Sequence, residues 1–235
     1  MRAVLAALLL TLTTVGANAA TIGSGAGQVG VGGSFTVNFN GIIEGAVQSG
    51  LTSEITFGVT SINTATRTIA LTYSITNTSS NPVTFSRVSA FGFNSNPDLA
   101  NNGATVTGVF WREHYDRNVP QLGTTFEFCA NNNVGNSCAG GGFSGVSIGH
   151  TAGGTLTLRF ASSITGGADL TDFFVRYQSI YGVACGQGSD WHRTWNRDCS
   201  GVGVSTPPVP EPAAMVVFGL GTLIIGAALR RRVLA

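Results

Sequence analysis

Lysine is absent from this 235-residue chain, so its basic side chains are twelve arginines and three histidines. An arginine-favouring genome bias accounts for that, and no function follows from it. Charge of either sign is scarce, at 10% of residues, against roughly 25% in ordinary soluble domains. The whole-chain charge of +1 also misleads, because four arginines and one glutamate sit in the two terminal segments. Without those segments eight arginines face ten acidic residues, a net of −2. No basic surface for nucleic acid follows. Gly, Ser, Thr and Asn stand where charges usually would, giving a neutral surface of hydroxyls and amides.

Helical periodicity is missing before Ala213. What replaces it is period-two alternation, the mark of half-buried strands. Phe35, Val37 and Phe39 alternate with polar residues; so do Ile55, Phe57 and Val59, and then Ile69, Leu71, Tyr73 and Ile75. Asn77 to Pro82 reads as a turn cluster. Val83 to Phe93 continues extended, followed by shorter candidates at 105–110, 124–128 and 156–160. In a last segment, 172–180, Phe173, Val175 and Tyr177 share a face. About eight strands with Gly- and Asn-rich turns predict an all-β fold, an antiparallel β-sandwich of jelly-roll type. Residues 94–103 and 130–154 read as long loops. Residues 20–34, mostly glycine and small side chains, read as a flexible leader.

No cysteine lies in a C-x-x-C pair. The four cysteines form two local pairs, Cys129 with Cys138 and Cys185 with Cys199. Their even number in a chain with export signals argues for disulfides, and of the three connectivities the local one is preferred. Neither spacing suits a zinc or redox site.

The two ends carry addresses. Arg2, the apolar stretch Ala3–Leu12 and the small-x-small run Ala17-Asn18-Ala19 form a signal peptide over residues 1–19, cut after Ala19. At the other end an uncharged run of 17 residues, Ala213 to Leu229, is followed by Arg230, Arg231 and Arg232. As a helix it spans roughly 25 Å, just enough for a bilayer core. The arginines favour a cytoplasmic position for residues 230–235. Just before the run lies Pro210-Glu211-Pro212, in a proline-rich neck over 205–212 that exposes the tripeptide. The ectodomain is then 35–204, enough chain for one core.

The tripeptide, the apolar run with Gly219-Leu220-Gly221 and the terminal arginines together resemble the PEP-CTERM sorting signal of exopolysaccharide-producing Gram-negative bacteria. The resemblance implies that a membrane-embedded exosortase reads Pro210, Glu211 and Pro212 and removes the tail, while Arg230, Arg231 and Arg232 fix orientation. It implies export through the inner membrane to the cell surface or extracellular matrix, with exopolysaccharide or biofilm as context. The wording of Leu71–Ser80 and Phe91–Asn94 is similar to β-rich ectodomains carried by such proteins.

Several patterns bear on chemistry. Gly25-Ala26-Gly27-Gln28-Val29-Gly30 is a formal G-x-G-x-x-G, but it lacks the strand before and helix after that a dinucleotide site needs. Gly145-Val146-Ser147-Ile148-Gly149, with His150 next, is a formal nucleophile elbow without its helix. Glu113 with Asp190 or Asp198 would be a carboxylate pair only at a suitable separation. His114, His192 and the nearby aspartates are a minor metal-binding alternative, and no EF-hand loop appears. The chemistry-bearing residues concentrate at Trp111–Arg117 and Asp190–Cys199. If those segments meet, Trp111, Arg112, Trp191, Arg193 and Trp195 make a candidate saccharide site, with indole faces for sugar faces and polar groups for hydroxyls. The reading is therefore an exported, non-enzymatic surface protein without cofactor or metal. A carbohydrate-binding module and a secreted hydrolase are the alternatives.

Overall fold

The computed structural model describes residues 15–16, 19–133, 137–141, 144–185 and 199–206. Among them are thirteen strands and no helix: β1 (Val15–Gly16), β2 (Ala20–Ile22), β3 (Ser34–Ile43), β4 (Ala46–Asn63), β5 (Thr68–Thr76), β6 (Phe85–Asn96), β7 (Leu99–Val106), β8 (Arg112–Asn118), β9 (Thr125–Asn131), β10 (Val146–Ser147), β11 (Thr151–Phe160), β12 (Ala168–Tyr181) and β13 (Cys199–Ser205).

Alternation builds the first three long strands. Phe35, Val37 and Phe39 of β3 point inward and are buried. Phe35 pairs in register with Phe57 of β4, and the rings stack 5.1 Å apart. Glu44 and Gly45 turn the chain between β3 and β4 with φ of 51° and 81°. Positive φ at both central residues is what a tight two-residue hairpin turn matching the strand twist requires.

The strands lie in the order β7-β11-β5-β4-β3-β13-β12-β6-β9-β8, with β1, β2 and β10 attached beside the path. Neighbours along that path are antiparallel. The expectation of two facing sheets in a jelly roll is corrected by one strand. Without β13 the order would divide into β7-β11-β5-β4-β3 and β12-β6-β9-β8. The last described strand hydrogen-bonds to β3 on one side and β12 on the other, and so joins the halves into one sheet. The sheet then rolls until its ends, β7 and β8, approach each other as a nearly closed barrel. Register shifts along β4 and β12 supply the added twist and bend.

β13 was not legible as a strand because Gly201 and Gly203 interrupt its apolar residues. Gly203 is there for clearance: a Cβ would sit 2.5 Å from Val175 Cγ2 and 2.9 Å from Tyr177 Cε2. Three other expectations change in the same way. Residues 94–103 are the end of β6, a short turn and most of β7 rather than a long loop, and the strand anticipated at 105–110 lies earlier. Residues 112–118, polar throughout, form β8. The glycine-rich leader is partly built in: Ala20 and Ile22 are buried in β2, against Leu170 and Ala168 of β12.

The interior is an aromatic network. Phe57 lies 6.0 Å from Phe91 and 5.7 Å from Phe173, and Phe93 lies 5.0 Å from Phe128. Tyr177 of β12 bonds Ser53 of β4 at 2.7 Å within it, tying two strands that are not neighbours in the sheet. A second, smaller cluster, Val119, Phe126, Cys129, Cys138, Phe174 and Val202, packs separately from this core. There Phe126 meets Phe174 at 4.4 Å. The β8–β9 connection contributes to this cluster and reaches β13, where Gln121 Nε2 donates to Ser200 O at 2.9 Å. Nearby, buried Arg176 donates to Gly201 O and Ser200 Oγ, both at 2.8 Å. Desolvation lowers its pKa to about 10.

Both local disulfides are formed, Cys129–Cys138 and Cys185–Cys199, each with Cα atoms 6.0 Å apart. The first is wholly buried in the smaller cluster. Replacing both Cys129 and Cys138 by alanine is expected to cost about 3 kcal/mol, from the loop entropy returned to the unfolded chain. Urea unfolding checks this: the midpoint should fall, with a slight rise in slope as the unfolded chain loses its crosslink.

Candidate functional site

The two ends of the sheet meet without a backbone ladder. Asn102, Ala104 and Val106 lie along β7, and β8 closes the gap with side chains. Tyr115 Oη accepts from Ala104 N at 2.9 Å and donates to Ala104 O at 2.8 Å. Glu113 Oε1 accepts from Val106 N at 2.8 Å. A tyrosine and a glutamate therefore do what a neighbouring strand would otherwise do for those edge groups. The seam they span is about as wide as a tyrosine is long.

Recesses flank Tyr115. One, about 480 Å³, is lined by Asn102, Thr105, Glu113, His114 and Arg117 among others. The other, about 340 Å³, is lined by Asn94, Asp98, Asn101, Asp116 and Glu127 among others. Glu127 is committed to the β6–β7 turn: Oε2 accepts from Ser95 N at 2.9 Å and Ser95 Oγ at 2.6 Å, and Oε1 accepts from Leu99 N. At the start of β8, Trp111 is 51% exposed, the one aromatic side chain among the described residues that stands open to solvent. The Arg112 guanidinium lies 5.7 Å from its ring centroid.

Of the candidate saccharide residues, the structure thus places Trp111 and Arg112 side by side where the chain enters β8. Trp191, Arg193 and Trp195 lie outside the described residues, as do Asp190, His192 and Asp198. Asn102, Thr105 and Tyr115 were missed; the polar alternation of 112–118 was the available signal, hidden by its lack of apolar residues. His114 is buried, with Nε2 3.2 Å from Asn131 Oδ1. The formal nucleophile elbow falls on β10 and the turn after it. There Ser147 Oγ accepts from Arg87 Nη1 at 3.0 Å, and His150 Nδ1 turns to Ile148 O at 2.9 Å. The Gly25–Gly30 segment is a turn closed by Gln28, whose Oε1 accepts from Gly25 N at 2.8 Å.

Burial pushes the Tyr115 hydroxyl up; the Ala104 bond opposes this, Glu113 adds to it, and Arg159 opposes it. Tyr73, bonded to Thr107 O at 2.8 Å, is pushed up to about 12 by desolvation, against the smaller effect of its bond to Phe110. A phenol whose folded pKa is raised stabilises the fold fully below the unfolded value near 10, and the benefit is lost as pH rises through the folded value. Stability is therefore expected to fall between pH 10 and about 12, by on the order of 2 kcal/mol from Tyr73. Chemical denaturation at pH 9, 10 and 11 checks this, and Tyr73→Phe should flatten the alkaline decline.

Thr206, the last described residue, is pinned to β3 by its N–H to Asn38 O at 2.9 Å. Pro207 and Pro208 follow and cannot donate to a ladder, which ends the strand. Just beyond, residues 208–232 match the family model described as the PEP-CTERM protein-sorting motif. The chain carries a PEP-CTERM sorting signal. This signal marks an exported protein, sorted at a membrane with an exosortase as its processing partner. The barrel lies outside the matched residues, and no curated protein or solved structure matches the chain significantly. The apolar run 213–229, the arginines 230–232 and the signal peptide except Val15, Gly16 and Ala19 fall outside the described residues. Among the described residues no helix is long and apolar enough to cross a membrane.

Proposed function

We propose that this PEP-CTERM protein is a non-catalytic component of a Gram-negative cell surface or extracellular matrix, associated there with exopolysaccharide. The observation that carries the reading is the sorting signal at 208–232, set directly behind a disulfide-bonded β-barrel. In this reading the signal peptide is cut after Ala19, and 213–229 crosses the inner membrane while the exosortase reads Pro210-Glu211-Pro212. The barrel is the mature product. Two disulfides and a charge-poor, hydroxyl-rich surface suit an oxidising exterior and a hydrated polysaccharide.

Fractionation of the native host tests this, with the intact mass of the surface-recovered protein. The expected product begins at Ala20, ends near Pro210–Pro212, lacks four hydrogens and sediments with the polysaccharide fraction. A surface form still ending at Ala235, or a processed form absent from that fraction, would overturn the reading.

A further inference from the structure

We propose that the seam between β7 and β8 is a binding site for a neutral polysaccharide, with Trp111 as its stacking platform. This deepens the matrix reading above and rests on it.

The first support is the position of Trp111. The other described aromatics are wholly or partly inside, while Trp111 is half exposed where the chain leaves the β7–β8 connection and enters β8, with Arg112 against its ring. An exposed indole presents a flat apolar face for the C–H face of a pyranose, a contact that a charged or aliphatic surface does not reproduce. Trp111 immediately precedes β8, in which Glu113 and Tyr115 share a face; Asp116, with φ of 51°, breaks the alternation before Arg117. The platform thus stands two residues along the chain from Glu113, which lines the larger recess together with Arg117.

The second support is what the seam rejects. A free sheet edge ordinarily invites an extended peptide, which binds through main-chain hydrogen bonds. Here Ala104 N and O and Val106 N are already satisfied by Tyr115 and Glu113, so a peptide strand finds no vacant ladder at those positions. The lining that remains is side-chain chemistry. It comprises the Asn102 amide, the Thr105 hydroxyl and the second Glu113 oxygen, which has no protein donor among the described residues. Amides and carboxylate oxygens are the groups that pair with sugar hydroxyls.

The third support is charge. Glu113 and Arg117 balance in the larger recess, while Asp98, Asp116 and Glu127 make the smaller one negative. The region outside the sorting segments is net negative as well. A polyanionic chain laid along the seam would meet like charge on one side of Tyr115. A neutral chain would not.

The experiment uses the processed protein from the cell surface. Its mobility is measured by affinity electrophoresis in gels containing dextran, galactomannan or alginate. Retardation by a neutral polysaccharide, weakened at least about tenfold in Trp111→Ala and largely kept in Trp111→Phe, is the expected result, corresponding to about 1.4 kcal/mol of lost stacking. The thermal midpoint of Trp111→Ala should match wild type, because the side chain is half exposed. Equal retardation of Trp111→Ala and wild type, retardation by alginate alone, or no retardation by any gel would overturn the site. Matrix fractionation separates the two readings. Wild type and Trp111→Ala both in the polysaccharide fraction would leave matrix association standing and remove this site; wild type missing from that fraction would remove the association itself.

Discussion

Replacing Pro210, Glu211 and Pro212 together by alanine is expected to leave the chain as an unprocessed precursor in the membrane fraction. The substitution removes the rigid tripeptide and its one charge but keeps the apolar run and the arginines, so insertion and orientation should persist. The barrel should not register the change. Its chain is fastened as far as Thr206, and the described residues end before the tripeptide begins. Two observables therefore part company. Intact mass should shift from a chain ending near residue 211 to one ending at Ala235, in essentially all molecules. The thermal midpoint of the barrel should stay where it was. Only three residues, Pro207 to Val209, separate Thr206 from Pro210. At about 3.3 Å per extended residue, the tripeptide begins within roughly 15 Å of the barrel. Normal processing of the alanine variant would show that the apolar run and arginines suffice for recognition, and would remove Pro210, Glu211 and Pro212 from the site.

The parts of the fold legible in sequence are those where alternation is clean. β3, β4 and β5 each bury one apolar face, β12 buries the anticipated face of Phe173, Val175 and Tyr177 and also Phe174 and Arg176 on the other, and the residues anticipated for those faces, from Phe35 to Tyr177, are in the core. The strands that were missed make contacts other than apolar ones. β8 has no aliphatic residue because its work at the seam is done by a phenol and a carboxylate. In β7 the asparagines 101 and 102 are exposed beside the open edge. β13 alternates glycine with valine because neighbours approach too closely for a side chain. That omission decided the architecture, since a sandwich and a rolled sheet differ here by one strand. The disulfide pairing was legible from local spacing alone. The sorting signal was legible because a motif, an apolar run and a charge cluster adjoin in order. At the entry to β8, Trp111 and Arg112 stood out by composition, whereas Asn102 and Thr105 are ordinary residues that acquire a role only when β7 comes to face β8.

Asn77 illustrates the same limit, and its replacement by alanine is expected to be the most destabilising single change outside the aromatic core. The sequence around it reads as a surface turn, yet Asn77 is fully buried. Its Nδ2 donates to Ser86 O, Ser86 Oγ and Val146 O, each at 3.1 Å. Its Oδ1 accepts from Ser79 N at 3.2 Å and Ser86 Oγ at 3.4 Å. Its backbone takes part as well, donating to His150 O at 3.2 Å and accepting from Gly149 N at 2.9 Å. One side chain thus fastens the β5–β6 connection to β6, to β10 and, through its backbone, to the turn leading into β11. Alanine keeps the backbone bonds but strips partners from Ser86 O, Val146 O and Ser79 N inside the protein. Buried groups left unpaired cost about 1–3 kcal/mol each before relaxation, so a net loss of about 4 kcal/mol is expected. In a domain of this size that lowers the thermal midpoint by roughly 10 °C. Asn77→Asp should be at least as damaging, since it removes the amide donors and buries a charge in their place. The neighbouring Thr78→Ala, at an exposed position, is the control and should shift the midpoint by no more than about 3 °C. A fall for Asn77→Ala no larger than that of the control would mean that water takes over the amide's bonds, and that the connection is held by its backbone alone.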